Sequence, residues 1–314
     1  MVKKYLFIFI LVCLLGPPIA SQADEEDLDL ERLTLYKKTQ ALTHVPWYYL
    51  AAIDQYERQI HQFDQNQTIA ITFPPHQWFG PGNVTGSTDI TQIAIHNGIG
   101  RDGDGDNKAD PTNETDQLYT MAHYLLQYGL TEQAIHHALW DYYQRPLAVK
   151  TISQNAKIYK QYNTVKLNER AFPIPKHFNY SYRSTWGDAR GFGGRRIHEG
   201  TDIFADYGTP VRATTYGTIE IKGWNKYGGW RIGMRDLNNV YHYFAHLSGF
   251  EEGIEVGDIV EPGQVLGYVG SSGYGPPGTS GKFPPHLHYG LYKDNGENEW
   301  AFDPYPSLRR WEAQ

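Results

Sequence analysis

The sequence predicts an α+β protein of more than one domain, with a mostly helical N-terminal half and an all-β C-terminal half. Three observations predict it. Apolar residues recur at intervals of three and four up to about Tyr162, and glycine-punctuated runs of β-branched and aromatic residues take over after it. Between the two patterns lies a proline-bounded segment, Ala171-Phe172-Pro173-Ile174-Pro175. At 314 residues with 40% hydrophobic content, the chain has room for about two ordinary cores.

Residues 1–23 have the pattern of an export signal: Lys3 and Lys4, an apolar stretch over 5–15, then Ser21-Gln22-Ala23 before an acidic run. The stretch is short for a bilayer, so its removal leaves no membrane segment; an uncleaved anchor is the other reading. The one cysteine, Cys13, falls inside it, so disulfides are not expected to staple the mature chain. Removing these residues takes away two lysines and no acid, and the formal charge moves from -7 to -9. That balance argues against nucleic acid as a partner. Aromatic residues, 14% of the chain, suit carbohydrate or peptide surfaces as well as cores.

Residues 24–170 form the helical half. Helices are expected over 46–57, opened by Pro46; over 116–128, stopped by Gly129; and over 132–143, capped by Thr131. Residues 171–182 read as a linker and 183–314 as the β domain. Strands are expected at 211–221, 230–234, 240–247 and 265–269, separated by turns such as Gly228-Gly229 and Pro262-Gly263. A small barrel or sandwich follows from this pattern.

Chemistry concentrates in the β half. In Pro284-Pro285-His286-Leu287-His288, the imidazoles at i and i+2 share one strand face. His198 and Asp202, four apart in His198-Glu199-Gly200-Thr201-Asp202, also share a face. With His288 they offer two nitrogens and one oxygen, a set that suits zinc and leaves a fourth position for water. His286 lies beside His288, and His246 ends the strand segment Tyr243-Phe244-Ala245-His246-Leu247. Imidazoles near such a water can take its proton or bond a developing oxyanion. By period-2 parity His242 shares the face of His246, which makes it a candidate for substrate contact or for supporting the ligands. Spacing alone does not divide ligands from bases, and each short motif alone is more often a coincidence.

The order HEGTD, YFAHL, HLH, together with Gly208-Thr209-Pro210-Val211 and the run from Val260 to Gly270, resembles the M23 family of zinc metallopeptidases, the lysostaphin-like cell-wall endopeptidases. The resemblance covers about residues 183–304. It implies one zinc held by His198, Asp202 and His288, with His246 and His286 as the catalytic pair and peptidoglycan peptides as substrate. Some members of the family have lost ligands and serve only in assembly; both ligand motifs are complete here. The segment GYGPPGTSGKF over 273–283 is longer than the usual link before HLH, so a different cleft loop is expected. Layout and charge look like the sporulation-associated L-alanyl-D-glutamate endopeptidases of endospore formers. That likeness implies action outside the cytoplasmic membrane, in the cell wall or the spore intermembrane space.

The helical half is similar to the lysozyme-like fold of lytic transglycosylases. That likeness implies glycan as a partner and Glu57 as a general acid. Two departures stand out: Arg58 follows Glu57 where serine is usual, and residues 83–92 lack the expected segment. The other reading of Glu57 is a carboxylate of a glycan-binding or packing module. Residues 102–113 place oxygens at alternate positions as a calcium loop does, but Asn107 and Asn113 replace the expected glycine and glutamate. A solvated acidic turn is therefore expected ahead of a Ca2+ site. Nothing in the sequence sets the oligomeric state.

Overall fold

The computed structural model describes residues 22–61, 67–191 and 195–314. The apolar stretch of the expected export signal and Cys13 lie outside the described residues. No helix among the described residues is long and apolar enough to cross a membrane.

The first half is helical: α1 (Gln22–Thr43), α2 (Trp47–Ile60), the short α3 (Pro75–Trp78) and α4 (Ile90–Ile95), then α5 (Glu114–Leu126), α6 (Glu132–Tyr143) and α7 (Pro146–Tyr162). Local chemistry sets their ends. The Thr131 hydroxyl accepts from Ala134 N to open α6, and Asn113 accepts from Thr115 N and Asp116 N to open α5. Proline opens α7 at its first position, where no N–H is needed. The apolar stripes of α2 and α7 meet in a core that includes Leu50, Ile53, Leu118, Ile152 and Ile158. Each such side chain, fully removed from water, contributes about 1.5–3 kcal/mol.

The second half is built from β1 (Tyr180–Tyr182), β2 (Ala189–Arg190), β3 (Arg196–Ile197), β4 (Thr201–Ala205), β5 (Pro210–Arg212), β6 (Gly217–Asn225), β7 (Gly229–Asp236), β8 (Val240–Phe250), β9 (Ile259–Val260), β10 (Val265–Val269), β11 (His286–Asp294) and β12 (Glu299–Phe302). Helix α8 (Tyr305–Ala313) closes the chain. Among the described residues ten strands pair antiparallel in one sheet of order β1-β4-β11-β8-β7-β6-β9, with β10 and β12 attached beside β8 and β11 and β5 beside β10. The strand path does not close on itself. The expected barrel is thus an open antiparallel sheet, its two ends formed by β1 and β9. The strand expected over 211–221 is two strands, because the chain turns at residues 213–216 before resuming.

The segment 171–182 is tied to the sheet. Phe172 and Ile174 are buried in its core beside Ile203 and Leu266, and Tyr180 to Tyr182 pair with β4. The halves also touch each other: Leu237 inserts into the helical core, and Gln55 donates to its carbonyl at 3.0 Å.

Candidate metal centre

Strand register brings the first candidate ligands together. In the β11–β4 pairing His288 lies directly opposite Asp202, and in the β11–β8 pairing it lies opposite Ala245. His198 arrives from the extended segment between β3 and β4. Alternation sends Leu287, Tyr289 and Leu291 into the core and leaves His286 and His288 facing a cleft of about 550 Å³.

His198 Nε2, His288 Nδ1 and Asp202 Oδ1 form a triangle with sides of 2.8, 3.0 and 3.1 Å. Donors held by one tetrahedral ion at bond lengths near 2.0 Å sit about 3.3 Å apart, so a small contraction separates this triangle from a zinc site. The donors are also chemically committed. His198 Nδ1 lies 2.8 Å from the Thr185 carbonyl, which can only accept, so the ring's proton is on Nδ1 and a lone pair on Nε2 points to the centre. Asp202 is well below the usual carboxylate range: burial would raise it, but the facing imidazoles of His198 and His288 outweigh that. A lone pair and a carboxylate turned on the same point, with both residues 6% exposed, call for a cation.

Gly200 permits the approach. A Cβ there would stand 2.5 Å from His288 Cε1 and 2.7 Å from the Tyr289 carbonyl oxygen. The glycine of HEGTD therefore makes room for a ligand ring.

The two remaining imidazoles repeat the tautomer device. His246 Nδ1 lies 2.8 Å from the Ser272 carbonyl and His286 Nδ1 lies 2.8 Å from that of Pro284. Each presents Nε2 to the cleft, and their ring centroids are 4.8 Å apart. Burial, with His286 and His288 adding to it, pulls His246 down to about 3, so it stays neutral with its lone pair available. Tyr274, from the long 273–283 segment, stacks on His246 at 5.7 Å and makes that segment a wall of the cleft.

His242 does not share the face of His246. The backbone at His246 is left-handed, with φ 64°, and the β7–β8 register slips by one residue between Trp230 and Ile232. This bulge turns His246 out to the cleft although Phe244 and Leu247 on either side face the core. His242 keeps core parity: its Nδ1 meets the hydroxyls of Thr214 at 2.9 Å and Tyr289 at 2.7 Å, and its Nε2 is 3.3 Å from Asp236 Oδ2. It sits one layer behind the ligands.

Glu57 lies in the helical half, 3% exposed. One of its oxygens accepts from the Tyr143 hydroxyl and the other lies 3.1 Å from His61 Nε2. In the acidic segment, Asp102, Asp104 and Asp116 bring carboxylate oxygens within 4.8 Å of one another. Those oxygens accept backbone N–H groups of Gly103, Gly105, Asn107 and Asp110, and Asn113 Nδ2 donates to Asp104. Sequence reasoning missed Arg190, whose Nη2 lies 2.6 Å from Asp202 Oδ2. Its position near HEGTD was the available signal.

Residues 196–304 match the model of Peptidase family M23. A curated relative, the L-Ala--D-Glu endopeptidase of Bacillus subtilis (strain 168), is 59% identical over 288 residues, which cover 90% of this chain and 88% of that protein. The chain belongs to peptidase family M23. The expectation of an endopeptidase drawn from HEGTD, YFAHL and HLH therefore holds. Relatives similar over the β half alone include the glycyl-glycine endopeptidase ALE-1 of Staphylococcus capitis, 40% identical over 36% of this chain and 29% of that protein. Among solved structures, lysostaphin from Staphylococcus simulans is 32% identical over 46% of this chain and 55% of that one, with a TM-score of 0.37. For this M23 peptidase, the length shared with the Bacillus relative includes the helical half.

Proposed function

We propose that this M23 peptidase is a zinc-dependent endopeptidase that hydrolyses the L-Ala–D-Glu bond of peptidoglycan stem peptides outside the cytoplasmic membrane. The single observation that carries the chemistry is the closed triangle of His198, Asp202 and His288 on the cleft floor. The bond is carried by the 59% likeness to the Bacillus endopeptidase over most of both chains. The apolar stretch over residues 5–15 supports export to the wall or the spore intermembrane space.

Zinc in this donor set supplies a Lewis acid and an acidified water. The chain supplies the rest. His246 and His286, each with its proton fixed on Nδ1 by a carbonyl, present Nε2 lone pairs that accept a proton from the attacking water and return it to the departing amine. Thr185 holds His198 on one side, and Arg190 holds the second oxygen of Asp202, so the donors enter the reaction already oriented.

The helical half is read as a positioning module. Glu57 has its oxygens engaged by Tyr143 and His61, which favours a packing role over glycan cleavage. Metal analysis of the purified protein and amino-terminal identification of products from muropeptides test the proposal together. One zinc per chain and a new amino terminus on D-glutamate are expected. A different released residue, or full activity after chelation, overturns it.

A further inference from the structure

The cleft of this acidic chain has a basic rim. Strands β2 and β3 form a separate two-stranded ribbon in which Arg190 is the direct partner of Arg196. Like charges directly opposite each other on a ribbon are destabilising. Both residues line the metal cleft. The carboxylates there are Asp202, committed to the metal set, and Glu199, whereas the whole chain carries a formal charge of -7. The guanidinium pair therefore stands against the charge of the molecule along the cleft that holds the candidate metal set.

Neither arginine lies idle on the surface. The Nη2 of Arg190 holds Asp202 at 2.6 Å, while its Nε is buried with no hydrogen-bond partner among the described residues. Arg196 is packed by aromatic rings: its guanidinium carbon lies 5.8 Å from the centroid of Tyr227 and 5.9 Å from that of Tyr274, and Nη2 donates to the Tyr274 hydroxyl at 3.1 Å. Two aromatic rings and a hydroxyl partner restrict where this guanidinium sits, and its planar fork can grip a carboxylate through two parallel N–H groups.

We infer that Arg196, with Arg190 beside it, forms a carboxylate subsite that reads an acidic residue next to the scissile bond. This rests on the L-Ala–D-Glu reading above. In a stem peptide D-glutamate is joined onward through its side-chain carboxyl, so its α-carboxylate is free and shares a carbon with the scissile nitrogen. The substrate thus carries an anion within one residue of the metal centre. Shared between two opposed guanidinium groups, that anion also relieves their repulsion, so binding and ribbon order reinforce each other. Arg196 touches substrate in this account, and Arg190 positions Asp202 as well.

Two synthetic stem peptides decide the matter, identical except that one carries the free α-carboxylate of D-glutamate and the other its α-carboxamide. The zinc-loaded enzyme is expected to cut the carboxylate form with kcat/KM about 10–100-fold higher, because a carboxamide loses the charge and replaces one acceptor oxygen with an NH2 donor. In Arg196→Met the ratio is expected to fall below about 3-fold, mainly through KM, while Arg196→Lys keeps a part of it as a point charge without the fork. Zinc content and circular dichroism of both variants exclude a disrupted site, and Arg190→Met is expected to lower zinc affinity as well as the ratio. Equal cleavage of both peptides by the wild type at L-Ala–D-Glu, or an unchanged ratio in folded, zinc-replete Arg196→Met, overturns the subsite and leaves the bond assignment intact. Cleavage at another bond overturns the bond assignment instead.

Discussion

The convergence of the candidate ligands was legible because the information is local. A strand places i and i+2 on one face, so HLH and HEGTD announce convergence before any fold is known. The face of His246 was not local in this way, since it depends on a left-handed φ of 64° inside a bulge, and the same bulge breaks the parity that put His242 on one face with it. That same φ guides a test. Asparagine tolerates the left-handed region better than most non-glycine residues, so His246→Asn removes the imidazole with little backbone strain. We expect zinc binding to persist and kcat to fall by about 10²–10⁴-fold. A pH effect accompanies it in the metal-free protein. His246 is held near 3 when folded and titrates near 6.5 when unfolded, so between those values the unfolded chain binds the extra proton. Its contribution to stability is complete above pH 6.5 and is lost as pH falls toward 3, by at most about 1.4 kcal/mol per unit. Urea unfolding of the chelated wild type and variant from pH 7 to 4 should show the two curves converging as pH falls; parallel curves would refute the assignment.

Among the elements, helix ends and strand cores followed from capping and alternation, which is why Thr131 and the run over 265–269 stand where expected. Sheet closure did not follow. Alternation says that a strand has an inner face but not how many neighbours complete the circuit, and here the path ends at β1 and β9. Close approach between elements is equally hidden until the backbone is seen. The lead-in to β4 passes β11 so closely at Gly200 that a methyl group there meets the His288 ring and the rigid Tyr289 carbonyl. A ring can rotate, but a strand carbonyl in a sheet core cannot. Gly200→Ala is therefore expected to displace the ligand, lowering zinc affinity about 10–100-fold and activity with it, while the remaining core preserves the fold. Isothermal titration of zinc into the apo variant measures this, and wild-type affinity would show that the two segments separate at little cost.

Across the whole molecule, the feature least visible in sequence is the joint between the halves. Arg145, the residue before α7, grips Asp294 at the end of β11 with two contacts of 2.6 Å across 149 positions of chain. No periodicity relates such residues. Asp294 is fully buried, and Asn239 adds a bond of 3.1 Å to the same carboxylate. Removing one member of a buried pair leaves an uncompensated charge, which typically costs about 3–5 kcal/mol, whereas replacing both by apolar groups is often neutral. The pair ends the strand that begins with His286 and His288, so the helical half braces the far end of the strand that carries the candidate ligand His288. Arg145→Met is expected to lower the Tm by about 6–15 °C and to separate the melting of the two halves in calorimetry. Arg145→Met combined with Asp294→Leu should recover most of that loss. An unchanged thermogram for the single variant would mean that the halves melt independently and that the buried fork does not couple them.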